Sequence, residues 1–274
     1  MFVLVNYATG KYKRTQKLNS WTGKYIAGFD RIVECNDSDI DEKFKKDNSE
    51  IFDQKNALFI WKPYIILKFL LDLDDGDVLF YCDSGAFFIR RIKEYFQNME
   101  SDIWVSDIPF LEKQFSRKDA FRIIGCNHSS YGQLNQIQAG FIGVRKNEDT
   151  VKFIKNWLEY CKIIDVVGNS YGKEDDSFVE NRDDQTALSL LCKREGIVPY
   201  PDPTQYGKVP EEYMRDDRFI FRIPTQNYKR EMFIVLHRTP DVNFKVCIKQ
   251  IMVAILPRSI SVKLIKAKRE KKII

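Results

Sequence analysis

The sequence has no paired cysteines, only two histidines, no long apolar run and no glycine-rich nucleotide loop. Its six cysteines lie at 35, 82, 126, 161, 192 and 247, too scattered for a metal knuckle or a redox pair. Scattered thiols fit a reducing compartment, so a cytoplasmic location is expected. No run of about 18 apolar residues is present, which excludes a spanning helix. The opening Met1-Phe-Val-Leu-Val-Asn-Tyr7 carries no basic leader and is too short for a signal peptide. Gly-x-Gly-x-x-Gly and the P-loop pattern are also absent, so neither of those phosphate cradles is indicated.

What is present is a globular composition: 274 residues, 44% hydrophobic and 30% charged, enough for one large α/β domain with a sizeable core or for two small ones. Net charge is +5, but it is unevenly placed. Residues 257–274 hold seven basic residues and one acid, so the remainder is close to neutral. A neutral body argues against a surface that grips nucleic acid along its whole length. The tail mixes lysines with Ile260, Val262, Leu264, Ile265, Ile273 and Ile274. A solvated terminus is one reading; attachment to an anionic membrane surface is the other and is preferred.

The chain centres on Asp77-Val-Leu-Phe-Tyr-Cys-Asp83-Ser-Gly85. Val78 to Cys82 suits a strand buried on both faces, which would deliver Asp83 to the carboxyl edge of a sheet, where ligands of open α/β sheets bind. Asp83 is a hard oxygen ligand, and Ser84-Gly85 leaves room for close approach; a plain turn is the alternative. Phe2 to Tyr7 reads as a first strand followed by the loop Ala8-Thr9-Gly10-Lys11-Tyr12. Tyr7 or Tyr12 is placed to stack on a base or to pack at the sheet edge. Trp61-Lys62-Pro63 opens a helix over 64–73, with Pro63 in its first turn; Lys62 is placed to reach a phosphate or to remain solvated.

Phe87 to Met99 reads as a helix and Phe121 to Gly125 as a short strand. Gln136 to Arg145 reads as one strand interrupted by Ala139-Gly140 and Gly143, small residues that mark close approach by a ligand or another backbone. Asn147 caps a helix running to Ile164. After an acidic loop over 167–180, Asn181-Arg-Asp183-Asp184-Gln185 opens another helix. Acids there cap the helix dipole or hold a sugar's hydroxyls. Phe233 to Leu236 is a late strand that ends at His237, and Val242 to Leu256 is an apolar helix.

Together these stretches resemble the GT-A fold glycosyltransferases over most of residues 1–240. Four places carry the resemblance. Tyr7-Ala8-Thr9-Gly10 looks like the nucleoside-binding loop. Phe80-Tyr-Cys-Asp83-Ser-Gly85 stands where the family has Asp-x-Asp. Gln138-Ala139-Gly140-Phe-Ile-Gly143 is similar to the strand lining the sugar pocket. Asp183-Asp184-Gln185-Thr-Ala-Leu188 is similar to the helix start that contacts the sugars. His237 resembles the histidine that completes the metal site.

The resemblance implies an α/β, Rossmann-like, mixed and mostly parallel sheet flanked by helices, a catalytic domain over 1–240 and an amphipathic, basic helical segment over 241–274. It implies a hexosyltransferase that uses a nucleotide diphosphate sugar, UDP-linked, on a hydroxyl of a surface polysaccharide or lipid-linked oligosaccharide, with retention. Tyr7, Ala8, Thr9, Tyr12, Lys62, Ser84, Gln138, Ala139 and Gly140 would contact the donor; Asp83 and His237 would hold Mn²⁺ or Mg²⁺; Asp183, Asp184 and Gln185 would be catalytic. The enzyme would sit in the cytoplasm, with residues 257–274 at the inner face of the membrane. One departure stands out: Tyr81 and Gly85 flank Asp83 at the motif's spacing, so only one of its two carboxylates is present. The alternatives are a non-catalytic nucleotide-sugar-binding relative and, less favoured, a protein that binds nucleic acid through its tail. A nucleotidyltransferase matches poorly, because Ala8-Thr9-Gly10-Lys11 lacks that class's glycine-rich, arginine-containing loop.

Overall fold

A computed structural model describes residues 1–169, 173–210, 218–220, 232–240 and 243–270 of the chain. Parts of the expected acidic loop (170–172) and of the C-terminal segment (241–242 and 271–274) lie outside the described residues.

Ten strands are present among the described residues: β1 (Phe2–Tyr7), β2 (Arg31–Cys35), β3 (Val78–Cys82), β4 (Ala86–Phe88), β5 (Ile103–Trp104), β6 (Ser106–Leu111), β7 (Asn135–Ile137), β8 (Phe141–Arg145), β9 (Tyr200–Pro201) and β10 (Ile234–Leu236). The main sheet has the order β2-β1-β3-β8-β5. β1 is parallel to both β2 and β3, while β8 runs antiparallel to β3 and to β5. Four of its five strands therefore point one way. The architecture is α/β, with a mixed, mostly parallel sheet flanked by helices. Two smaller sheets, β10-β4 and β7-β6-β9, sit beside it.

The alternation of side chains along a strand divides the core in two. Val3, Val5, Leu79, Tyr81, Ile142 and Val144 face one layer, packed with the helices Trp61–Leu71, Glu148–Cys161 and Asp183–Arg194. Phe2, Leu4, Val78, Phe80, Cys82 and Phe141 face the other, against Phe29, Phe88, Phe96 and Trp104. The central strand β3 is buried along its whole length, which is why its sequence is a continuous apolar run rather than an alternation. Asn147 forms a capping box with Thr150 and fixes the start of the Glu148–Cys161 helix.

Three local expectations give way. The helix expected over 87–99 shrinks to Lys93–Gln97, because Phe87 and Phe88 pair with Val235 and Ile234 in an antiparallel ladder. The strand expected at 121–125 is instead the end of the helix Lys118–Ile124, closed by Gly125 at φ +88°; short apolar runs do not separate the two states. The single strand expected over 136–145 is two strands in different sheets, β7 and β8. The chain changes sheets at Gln138-Ala139-Gly140, beside the end of β3.

Candidate active site

β3 carries Asp83 to the carboxyl edge of the main sheet, as its buried run requires. The Asp83 backbone N–H donates to the Gly140 carbonyl at 2.9 Å, so the end of β3 is tied to the crossing between the two sheets. A Cβ on Gly140 would lie 3.2 Å from Asp83 Oδ2; the glycine is needed there for close approach to the carboxylate. The Tyr81 hydroxyl, two residues back on the same face, donates to Asp83 Oδ1 at 2.8 Å.

Beneath Asp83 lies Lys62, on the first turn of the Trp61–Leu71 helix. It is buried, with its ammonium 3.0 Å from Asp184 and 3.7 Å from Asp83, and the rings of Phe59, Trp61 and Tyr81 lie 5.3–5.8 Å from it. Burial works against this charge, but the two carboxylates outweigh it and hold Lys62 protonated beyond the ordinary lysine range. Burial pushes Asp184 up to about 7, opposed by Lys62. It also pushes Asp183 up to about 6. Asp183 begins the Asp183–Arg194 helix at φ +46°, a left-handed conformation that costs an aspartate about 1–3 kcal/mol and persists where the surroundings impose it.

The loop after β1 closes the next side. The Ser84 hydroxyl donates to the Tyr7 carbonyl at 2.7 Å, and Tyr7 stacks on Trp61 with ring centroids 3.9 Å apart. A buried amide network supports the junction. Gln16 donates to Asn6 at 3.0 Å and to the Cys35 carbonyl at 2.8 Å, Asn6 donates to Asn19 at 2.8 Å, and Asn19 donates to the Ala86 carbonyl at 3.0 Å. Burial raises the Tyr7 phenol to about 12, so it is neutral. On the opposite side, Gln185 is held by both ends of its amide. Its nitrogen donates to Gln136 at 2.7 Å, and its oxygen accepts from the Ala139 N–H at 3.3 Å. Gln136 is positioned in turn by the Phe115 carbonyl and by the buried Glu112, whose carboxylate also takes Ser116, Ser189 and Lys193.

These elements enclose one cleft of about 1030 Å³. Of the residues singled out from sequence, Tyr7, Ala8, Thr9, Tyr12, Asp83, Ser84, Gln138, Gly140 and Gln185 line it. Lys62, Ala139 and Asp184 are buried behind the wall. Asp183 and His237 are not among the lining residues.

Sequence reasoning missed several lining residues. Phe59 and Trp61 form an aromatic wall, and Asn56, Ala57, Leu58 and Phe59 all have φ between +44° and +58°. Four left-handed residues in succession carry no signal that sequence pattern exposes. Arg182 and Arg238 also line the cleft. Arg182 lies 3.9 Å over the Phe115 ring and 3.5 Å from Glu180. Arg238 follows β10 at φ +57°; its N–H and that of His237 both donate to the Gly85 carbonyl, at 3.1 and 2.9 Å. Its guanidinium sits 5.0 Å over the Tyr206 ring.

The residues do not fit a resident divalent ion. Among the described residues, no three of His, Cys, Asp and Glu gather. Asp83 Oδ1 already accepts the Tyr81 hydroxyl and has an ammonium 3.7 Å away, and neither Tyr81 nor Gly85, two residues to either side, is a second acid. His237 Nε2 is buried without a hydrogen-bond partner, and burial lowers the imidazole's pKa, so it is a neutral nitrogen donor. A lone imidazole and one shared carboxylate are too few for Mn²⁺ or Mg²⁺ without ligands brought by another molecule.

No protein-family model matches the sequence, and no curated protein matches it. Solved structures similar to it include mouse xyloside xylosyltransferase 1 in its apo form, 7% identical, covering 86% of this chain and 97% of that one with a TM-score of 0.46. The apo glycosyltransferase GlyE of Streptococcus pneumoniae TIGR4 is 13% identical, covering 97% of this chain and 63% of that one with a TM-score of 0.47. The galactosyltransferase LgtC in complex with donor and acceptor sugar analogs is 14% identical, covering 87% of each chain, also at 0.47.

Proposed function

We propose that the protein is a GT-A type glycosyltransferase that moves a hexose from a UDP-linked donor to a hydroxyl of a glycan. One observation carries this reading: the loop after β1, the Asp83-Ser84-Gly85 end of β3 and the Gln138-Ala139-Gly140 crossing converge on a single cleft at the carboxyl edge of the sheet. That edge is where open α/β sheets hold nucleotides.

In this reading the base lies against Tyr7, Tyr12 and the Phe59–Trp61 wall, and the sugar lies toward Gln138, Gly140 and Gln185. The anomeric carbon becomes oxocarbenium-like as its bond to the diphosphate oxygen breaks. The acceptor oxygen forms the new bond on the same face, and its proton passes to the departing diphosphate. Negative charge grows on that diphosphate, and the cleft cation placed to take it is Arg238, beside Gly85. Gln185, locked by Gln136 and Ala139, orients sugar hydroxyls. Asp183 and Asp184 act from behind the wall of the cleft, with Lys62 cancelling part of their charge. Mn²⁺ or Mg²⁺, implied by the family resemblance, would have to arrive with the donor's diphosphate. A cytoplasmic location, a polysaccharide or lipid-linked acceptor and contact of residues 257–274 with an anionic membrane belong to the same reading.

The single carboxylate, Asp83 between Tyr81 and Gly85, supports a second reading, a non-catalytic protein that binds nucleotide sugars. Calorimetric titration with UDP and a panel of UDP-sugars, with Mn²⁺ or with EDTA, tests both readings together with a donor-consumption assay. Binding with turnover supports the transferase, and binding without turnover supports the second reading. Absence of binding to every UDP compound overturns the UDP-linked transferase, and absence of binding to the other nucleotide sugars as well overturns both.

A further inference from the structure

The C-terminal region presents an apolar stripe that the fold leaves open. The helix Phe244–Ile255 packs one face inward, through Cys247, Val253 and Ala254, and Cys247 and Ala254 meet Phe87, Met232 and Val235. Its outer face carries Phe244, Ile248, Met252 and Ile255, which are 75%, 42%, 44% and 71% exposed. Steps of four, four and three residues keep these side chains on one side of a helix with about 3.6 residues per turn. The stripe is held in a fixed position on the body. The Lys208 ammonium donates to the carbonyls of Val253, Ala254 and Leu256 at 2.6–2.7 Å, and the Ser261 hydroxyl donates to the Val253 carbonyl at 3.0 Å. A second helix, Arg258–Glu270, follows directly and adds exposed Ile260.

The segment that carries the stripe has charge of one sign in its sequence. From Asn243 to Arg269 there is no Asp or Glu, while seven residues are Lys or Arg. We infer that the outer face of Phe244–Ile255 is a docking surface for an anionic lipid bilayer, with the stripe inserted at the level of the headgroups and the flanking basic residues over them. This deepens the proposed membrane contact by moving its anchor from the tail to the preceding helix, and it is independent of what the cleft binds. Two features select this occupant. A nucleic acid would use the lysines but gives no reason to expose Phe244 and Ile255. A second copy of the chain would bring two acid-free basic faces together, which like charge opposes. A bilayer takes up apolar side chains and attracts cations at once.

The test is co-sedimentation of the full chain with phosphatidylglycerol and with phosphatidylcholine vesicles, comparing wild type with Phe244→Ser/Ile255→Ser and with Lys263→Gln. Both sites are solvent-exposed, and thermal unfolding checks that each variant is folded. Wild type is expected to bind the anionic vesicles preferentially; the double serine variant should bind them about tenfold or more weakly, with UDP titration unchanged. Lys263→Gln should weaken binding less and mainly at low salt. A Phe244→Trp variant should shift its emission to the blue on anionic vesicles only. The inference is overturned by equal binding of wild type and the double serine variant, by no vesicle binding at all, or by a concentration-dependent dimer that the double variant abolishes. Binding to single-stranded RNA that outcompetes the vesicles overturns it as well.

Discussion

The ammonium of Lys62 lies 3.0 Å from the carboxylate of Asp184, with both side chains about 5% exposed. This ion pair lies behind the wall of the cleft and supports Asp83, which lines it. Removing the lysine leaves the buried Asp184 carboxylate without its partner, with the cleft-lining Asp83 carboxylate nearby. Lys62→Met should lower the unfolding free energy by about 3–5 kcal/mol near neutral pH, as for other broken buried pairs. The deficit should shrink as pH falls, because burial already favours the protonated Asp184. Urea denaturation at several pH values measures it; a loss below about 1 kcal/mol would mean that the pair is not buried.

Arg238 has a specific role in the proposed chemistry. Arg238→Gln should weaken UDP about ten- to a hundredfold, the range of a lost charge-assisted hydrogen bond, and leave uridine binding unchanged. Parallel titrations with nucleoside and nucleotide separate the two. Equal losses for both ligands would move Arg238 away from the diphosphate.

Two glycines of the same segment should respond differently to alanine. A Cβ on Gly143 meets Phe96 at 2.7 Å and Trp104 at 3.2 Å, so Gly143→Ala should destabilise by about 1–3 kcal/mol through overpacking. A Cβ on Gly140 presses Asp83 Oδ2 instead. Gly140→Ala should therefore cost ligand affinity more than stability. Melting temperature and UDP titration of both variants decide the matter.

Asp107 in β6 is held by Asn135 at 2.9 Å, and burial pushes it up to about 6. A carboxyl whose folded pKa is raised favours the folded state at acid pH, and that contribution is lost as pH rises from about 4 to about 6. Asp107→Asn retains an acceptor for Asn135 and removes the charge. It should raise stability by about 1–2 kcal/mol at pH 8 and change it little at pH 4. Denaturation midpoints at the two pH values test the sign; stabilisation that is larger at pH 4 would reverse the assignment.

Much of the fold was legible because it depends on local pattern. The uninterrupted Val78–Cys82 run specifies a strand covered on both faces, and β3 is one. Asn147 specifies a helix start, and it caps the Glu148–Cys161 helix there. The pattern failed where a neighbour decided the state. Phe87-Phe88 became a strand because β10 supplies its ladder, and nothing near position 87 announces residues 234–236.

The sequence by itself determined that the chain has a buried α/β sheet, that Asp83-Ser84-Gly85 ends its central strand, and that the segment after Asn243 is apolar and basic without acids until Glu270. These follow from side-chain alternation, burial and charge, which act over a few residues. Tertiary structure alone decided that Lys62 lies under Asp83 and against Asp184 rather than in solvent, that Gly143 makes room for Phe96 rather than for a ligand, and that Arg238 reaches the cleft through Gly85. Each is a contact between positions far apart in the chain, so its energy depends on which faces pack together, and local propensity contains no term for that.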